Sequence, residues 1–126
     1  MNDNFTHLRV HSHYTLLGAT ATVEQLVNRA AAENIPALAL TDRQPMYGAV
    51  AFSRACLAAN IRPITGMVVH IAPAEAVHLP GAAWGELVLL ATGPAGYRSL
   101  SALSSLVQGS PRRADFWQRG VAWDEL

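Results

Sequence analysis

Two histidines one residue apart, His11 and His13, close a short alternating stretch, Phe5-Thr6-His7-Leu8-Arg9-Val10. If that stretch is a strand, side chains two apart point the same way, and both imidazoles face one side. Such a pair can hold one metal ion, or it can simply be two polar side chains at a strand end. Asp42 and Arg43 follow an apolar run, Ala37-Leu38-Ala39-Leu40, and so end a second strand. A carboxylate there serves as a metal ligand or as a turn or helix cap. Thr65 to Val68 lie inside a third, β-branched stretch and can face the same ground. His7, His70 and His78 have no such grouping and read as surface or structural residues. In α/β proteins, ligands meet the carboxyl ends of strands, where the first two groups sit.

The intervening segments supply the helices that position these ends. Thr22-Val23-Glu24-Gln25 fits a capping box, and Val23, Leu26, Val27, Ala30 and Ala31 form one apolar face. Asn34-Ile35-Pro36 stops that helix, because proline disfavours helical geometry in the residue before it. A second helix is expected from about Met46 to Ala59, with Pro45 in its first turn. Asn60-Ile61-Arg62-Pro63 ends it in the same manner, so two helix-end, strand-start cassettes recur. Ile64 to Ile71 is the third strand, Pro73 to Gly85 a loop or hairpin connection, and Glu86 to Thr92 the fourth strand. Pro94 opens a last helix, ending near Gly109, with the stripe Tyr97, Leu100, Leu103, Leu106 and Val107. The alternation predicts an α/β fold of about four strands and three helices around a mainly parallel sheet. That is too few strands to close a parallel barrel, which takes about 250 residues.

Composition narrows the function classes. The chain has 126 residues, 51% of them apolar and 14% charged, which suits one folded domain over 1–126. Its core spans 5–109 and its tail 110–126. Nine basic against nine acidic residues leave no net charge, so nothing draws the whole domain to DNA or to an anionic membrane. Every basic residue is arginine, which excludes a Schiff-base lysine and a P-loop lysine. The single cysteine, Cys56, excludes a disulfide framework and a thiolate zinc cluster, and reads as a small buried hydrophobe. No run approaches the roughly 18 apolar residues of a membrane span. The polar start, Met1-Asn2-Asp3-Asn4, is unlike a signal peptide, and a cytoplasmic location is expected.

Several blocks together carry a resemblance. Residues 5–17 (FTHLRVHSHYTLL) and Pro36 to Asp42 are similar to the opening of the PHP (polymerase and histidinol phosphatase) domain of bacterial C-family DNA polymerases. Met46-Tyr47-Gly48-Ala49-Val50 and Ile61 to Gly66 follow in that family's order. Gly96-Tyr97-Arg98-Ser99-Leu100 looks like the polymerase version, favouring the branch of the polymerase III alpha subunit over stand-alone phosphatases. The resemblance implies the amino-terminal part of a distorted, TIM-like barrel. It implies a parent DNA-directed DNA polymerase (a nucleotidyltransferase of DNA replication), whose catalytic aspartates belong to another domain. It also implies, as partners, the remainder of the alpha subunit and a proofreading exonuclease subunit, with DNA met only through the full polymerase and no membrane.

The resemblance further implies that active members hold a cluster of metal ions with histidines and carboxylates, where metal-activated water attacks a phosphate ester; zinc or manganese is the expected ion here if the vestigial site is occupied. By resemblance His11, His13 and Asp42 match ligand positions. Gly18 stands where an acidic residue is usual, Arg43 where a histidine ligates, and Val68 where a glutamate is expected. Valine offers no lone pair, and a guanidinium brings a fixed positive charge where a cation would sit. Arg43 is therefore expected to bind a nearby carboxylate or carbonyl in place of the metal. The leading expectation is a metal-poor scaffold or docking module without chemistry of its own. A metal-dependent phosphoesterase or 3′–5′ exonuclease is the alternative, and a free-standing small α/β protein that binds phosphate or another subunit is a third. Open barrel edges at zero net charge also predict self-association of the isolated chain as a homodimer, with Trp84, Trp117 and Trp123 as anchors.

Overall fold

The structure, a computed structural model, describes residues 5–43, 46–72, 85–111, 120–122 and 126. In chain order its elements are α1 (Val23–Ala32), β1 (Ala37–Leu40), α2 (Ala49–Ala58), β2 (Arg62–Ala72), β3 (Gly85–Leu90), α3 (Pro94–Gly109) and β4 (Val121–Ala122). Helix α1 opens with the expected capping box. Thr22 Oγ1 accepts the Gln25 backbone N–H at 3.1 Å, and Gln25 Oε1 accepts the Thr22 N–H at 2.9 Å. The two Asn-Ile cassettes end their helices identically. Asn34 (φ 55°) and Asn60 (φ 57°) take the left-handed conformation that asparagine tolerates. Ile35 and Ile61 then donate N–H bonds to the carbonyls of Ala30 and Cys56, at 2.9 and 2.8 Å, satisfying helix-end acceptors. Helix α2 starts at Ala49, three residues later than its sequence suggests, with Gly48 as its N-cap. Pro45, its expected first-turn residue, lies outside the described residues, as do His78 and the three tryptophans.

The sheet is mixed, with parallel and antiparallel pairings, so the expected mainly parallel sheet is met only in part. Strand β1 pairs parallel with β2, from Ala37 opposite Arg62 to Leu40 opposite Thr65. Strand β3 pairs antiparallel with β2, from Gly66 opposite Leu90 to Ile71 opposite Gly85. Parallel neighbours need a crossover, usually helical, and the stretch between β2 and β3 shows no helical periodicity. Two-residue β4 pairs parallel with β2 at Ile71 and Ala72, past the end of β1. The expected first strand, Phe5–Val10, is not a regular one. It runs beside β1 through Ala39 N–H to His7 O (3.1 Å) and Thr41 N–H to Val10 O (2.8 Å). Three residues on this segment span two on β1, an offset that breaks a regular ladder.

The helices pack on one side of the sheet, in two groups. Val23, Val27 and Ala30 of α1 and Phe52 and Cys56 of α2 bury Leu38 and Leu40 of β1. Leu100, Leu103 and Val107 of α3, with Val121, bury Met67, Val69 and Ile71 of β2. The α3 stripe is thus largely spent on its own sheet, while Tyr97 and Leu106 stay exposed. The opposite side of the sheet, hereafter the inner face, carries the alternate residues Val68 and His70 of β2 and Glu86 and Val88 of β3.

Candidate functional site

The end of β1 meets the N-terminal segment through one buried carboxylate. Asp42 Oδ1 accepts the Ser12 N–H at 2.6 Å and the Thr15 hydroxyl at 2.7 Å, and Oδ2 accepts the Ser12 hydroxyl at 2.7 Å. Thr15 Oγ1 in turn accepts the Arg43 N–H at 3.1 Å. Just upstream, Thr41 Oγ1 accepts the Val10 N–H and donates to the Val10 carbonyl. Ser12, Thr15, Thr41 and Asp42 are all buried. Buried polar groups must find partners; Ser12, Thr15 and Asp42 supply one another's, and Thr41 finds its own on the Val10 backbone. Asp42 is a clasp between two chain segments.

The two histidines differ in burial. His13 stands in the first of several turns, its N–H bonded to Ala21 O at 2.8 Å, and its exposed ring lies on Tyr14 with centroids 4.3 Å apart. His11 is half-buried, and its Nδ1 is buried without a hydrogen-bond partner. The period-two geometry that would align them needs a strand through His13, and the chain has left extended form by then. Gly18 sits in the same run of turns, where an added Cβ would lie 2.8 Å from Thr15 Cγ2.

Arg43 and Val68 come side by side. They form a parallel bridge, with the Val68 N–H donating to Asp42 O at 3.0 Å. Val68 is fully buried. The Arg43 guanidinium does not pair with Asp42. Its Nη2 reaches Glu86 Oε1 on β3 at 3.0 Å, while Arg9 pairs with Glu86 Oε2 and His70 Nε2 stands 3.7 Å from Oε1. Burial raises the Glu86 pKa, but the Arg9 hydrogen bond and the charges of Arg43, Arg9 and His70 outweigh it, and the carboxyl titrates below its ordinary 4.5. His70, read from sequence as surface or structural, is buried. Sequence reading missed Ser12, Thr15, Arg9 and Glu86. Only the Ser-x-x-Thr spacing beside His11 offered a local signal. Glu86 becomes visible once β2 and β3 are in register, opposite His70.

A shallow pocket lies between the ends of β1 and β2 and the start of α2, lined by Leu40, Asp42, Met46, Gly48, Ala49, Thr65 and Gly66. Among its described lining residues Asp42 is the ionisable one, and both carboxylate oxygens are already hydrogen-bonded. Among the described residues, no three His, Cys, Asp or Glu side chains are grouped to hold a metal ion. A multinuclear centre needs several such ligands converging within about 2.0–2.2 Å of each ion. The described residues do not fit one.

This α/β chain carries a His-x-His pair at the close of its N-terminal segment and a Thr-Asp-Arg just past the end of β1, and the combination defines a class. The PHP domain model matches residues 7–126, and the chain belongs to that family. It is 38% identical over 120 residues to the DNA polymerase III subunit alpha of Halalkalibacterium halodurans, covering 95% of this chain and 10% of that protein. It is 40% identical over 111 residues to the same subunit of Bacillus subtilis, covering 86% and 9%. An error-prone DNA polymerase of Mycolicibacterium paratuberculosis is 36% identical over 97 residues, covering 77% and 9%. The chain thus spans about a tenth of the length of these relatives. Among solved structures, an amidohydrolase from Chromobacterium violaceum superposes with a TM-score of 0.61 at 27% identity, over 87% of this chain and 36% of its own. No helix among the described residues is long and apolar enough to cross a membrane.

Proposed function

We propose that this chain is the amino-terminal PHP module of a bacterial polymerase III alpha-type DNA polymerase, cytoplasmic and engaged in DNA replication. Its fold is then part of a TIM-like barrel, completed by the remainder of the alpha subunit. Its role is to scaffold that subunit or to dock a proofreading exonuclease, and DNA is met only through the whole polymerase. The observation that carries the scaffold role is the filling of the ligand ground. Asp42 is hydrogen-bonded by Ser12 and Thr15, Arg43 is turned to Glu86, and Val68 is buried where a ligand would stand. His11, His13 and Asp42 are the vestige of a metal site.

Two measurements test this reading. After equilibration with zinc or manganese and dialysis, the chain retains no stoichiometric metal and releases neither phosphate nor nucleotides from an oligonucleotide. Two or more metals per chain, with metal-dependent hydrolysis, would establish the phosphoesterase or exonuclease reading instead. Added in trans, the chain co-elutes with a Bacillus subtilis alpha subunit lacking its matching segment. Separate elution would count against the scaffold role.

A further inference from the structure

Glu86 is a single carboxylate, 21% exposed, that meets basic groups delivered by three separate parts of the chain. Arg9 comes from the N-terminal segment, Arg43 from the end of β1 and His70 from β2. A metal centre gathers electron-rich ligands from several strands onto central cations. Here the polarity is reversed, because a central anion gathers cationic groups from several strands. We propose that the Arg9–Glu86–Arg43 cluster, with His70 at its side, is a charge-inverted substitute for a metal centre. It pins the N-terminal segment and the β1 end to β2 and β3, so that the inner face is organised without a divalent ion.

The backbone brings these groups together independently of their charges. The Arg43–Val68 bridge holds the chain after β1 against β2, and His70 lies two residues beyond Val68 on the same face. Antiparallel register then sets Glu86 directly opposite His70. Arg9 sits one residue before Val10, whose N–H and carbonyl are fixed by Thr41. Two guanidiniums against one carboxylate leave the cluster one positive charge in excess, which repels a further cation. Arginine cannot lose that charge to make room. The naming of Arg43 and Val68 as former ligand positions rests on the family reading, whereas the cluster geometry does not.

The test is a double-mutant cycle on the 126-residue chain, with Glu86→Gln, Arg43→Gln and both, followed by thermal unfolding. A cluster acting as one unit makes the double variant no less stable than Glu86→Gln alone, which itself lowers the midpoint by about 4 °C or more. The wild-type midpoint is the same in EDTA as in zinc or manganese. If Glu86→Gln does not fold, the cycle is run with Arg9→Gln and Arg43→Gln, half-exposed residues, whose effects must then be non-additive. Additive losses with no metal retained overturn the cluster and leave the scaffold role standing. A midpoint raised by zinc or manganese, with metal retained, overturns both.

Discussion

Asp42 holds three donors from a segment thirty residues away, and its removal strands all of them in a buried site. Asp42→Ala is expected to cost about 3 kcal/mol, because each orphaned buried donor carries its own desolvation penalty. Urea unfolding measures it, and a loss below about 1 kcal/mol would show that Ser12 and Thr15 find water instead. Gly66 is constrained from three sides. A Cβ there would lie 2.4 Å from Leu89 O and 2.9 Å from Thr41 Cγ2, and the first of these is backbone that cannot rotate away. Gly66→Ala should therefore destabilise by roughly 2 kcal/mol or more, measured the same way. Glu86 sets a pH dependence. Its pKa is lower folded than unfolded, so it stabilises the fold above its unfolded value, near 4.5, and loses that contribution as pH falls through the folded value. The stability gap between wild type and Glu86→Gln should shrink as pH falls below about 4.5. A gap independent of pH would show that Glu86 acts through shape alone.

At the scale of elements, what was legible was what is local. The capping box of α1 and both Asn-Ile helix ends need only four to six consecutive residues, and the structure has them where the sequence puts them. Thr22→Ala should cost about 1 kcal/mol of stability, while Glu33→Ala, at an exposed pair with Arg29, should change it by less than about 0.5. A Thr22 effect as small as that at Glu33 would mean that packing alone fixes the start of α1. The direction of β3 was not legible, because it depends on how the chain returns after Ala72. The same holds for the site. Asp42 and Arg43 could be placed at a strand end from sequence. Their partners, Ser12, Thr15 and Glu86, lie at separations that only the assembled sheet brings together. The strand expected to carry His11 and His13 stops short for a local reason, a turn that begins at His13.

On the scale of the whole molecule, the inner face and one sheet edge bear on assembly. Val121 and Ala122 take up part of the edge of β2 that β1 leaves open. Among the described residues no strand flanks the outer edge of β3, and unpaired strand edges invite other chains. The isolated chain is accordingly expected to form dimers at tens of micromolar. Sedimentation showing only a 13.5 kDa species would locate the cover of that edge within the chain itself.

Strand β2 also has a seam along its length. Arg62 to Thr65 pair with β1 and belong with α1 and α2, while Met67 to Ile71 pair with β3 and pack under α3. Among the described residues each half draws its core almost entirely from its own stretch of chain, the first from residues before Gly66 and the second from those after it, with Met46 the one that crosses over. Units of this kind open separately when native amides exchange with solvent. Deuterium should therefore enter at two distinct rates, and the boundary between slow and fast amides should fall inside a single strand, at Gly66.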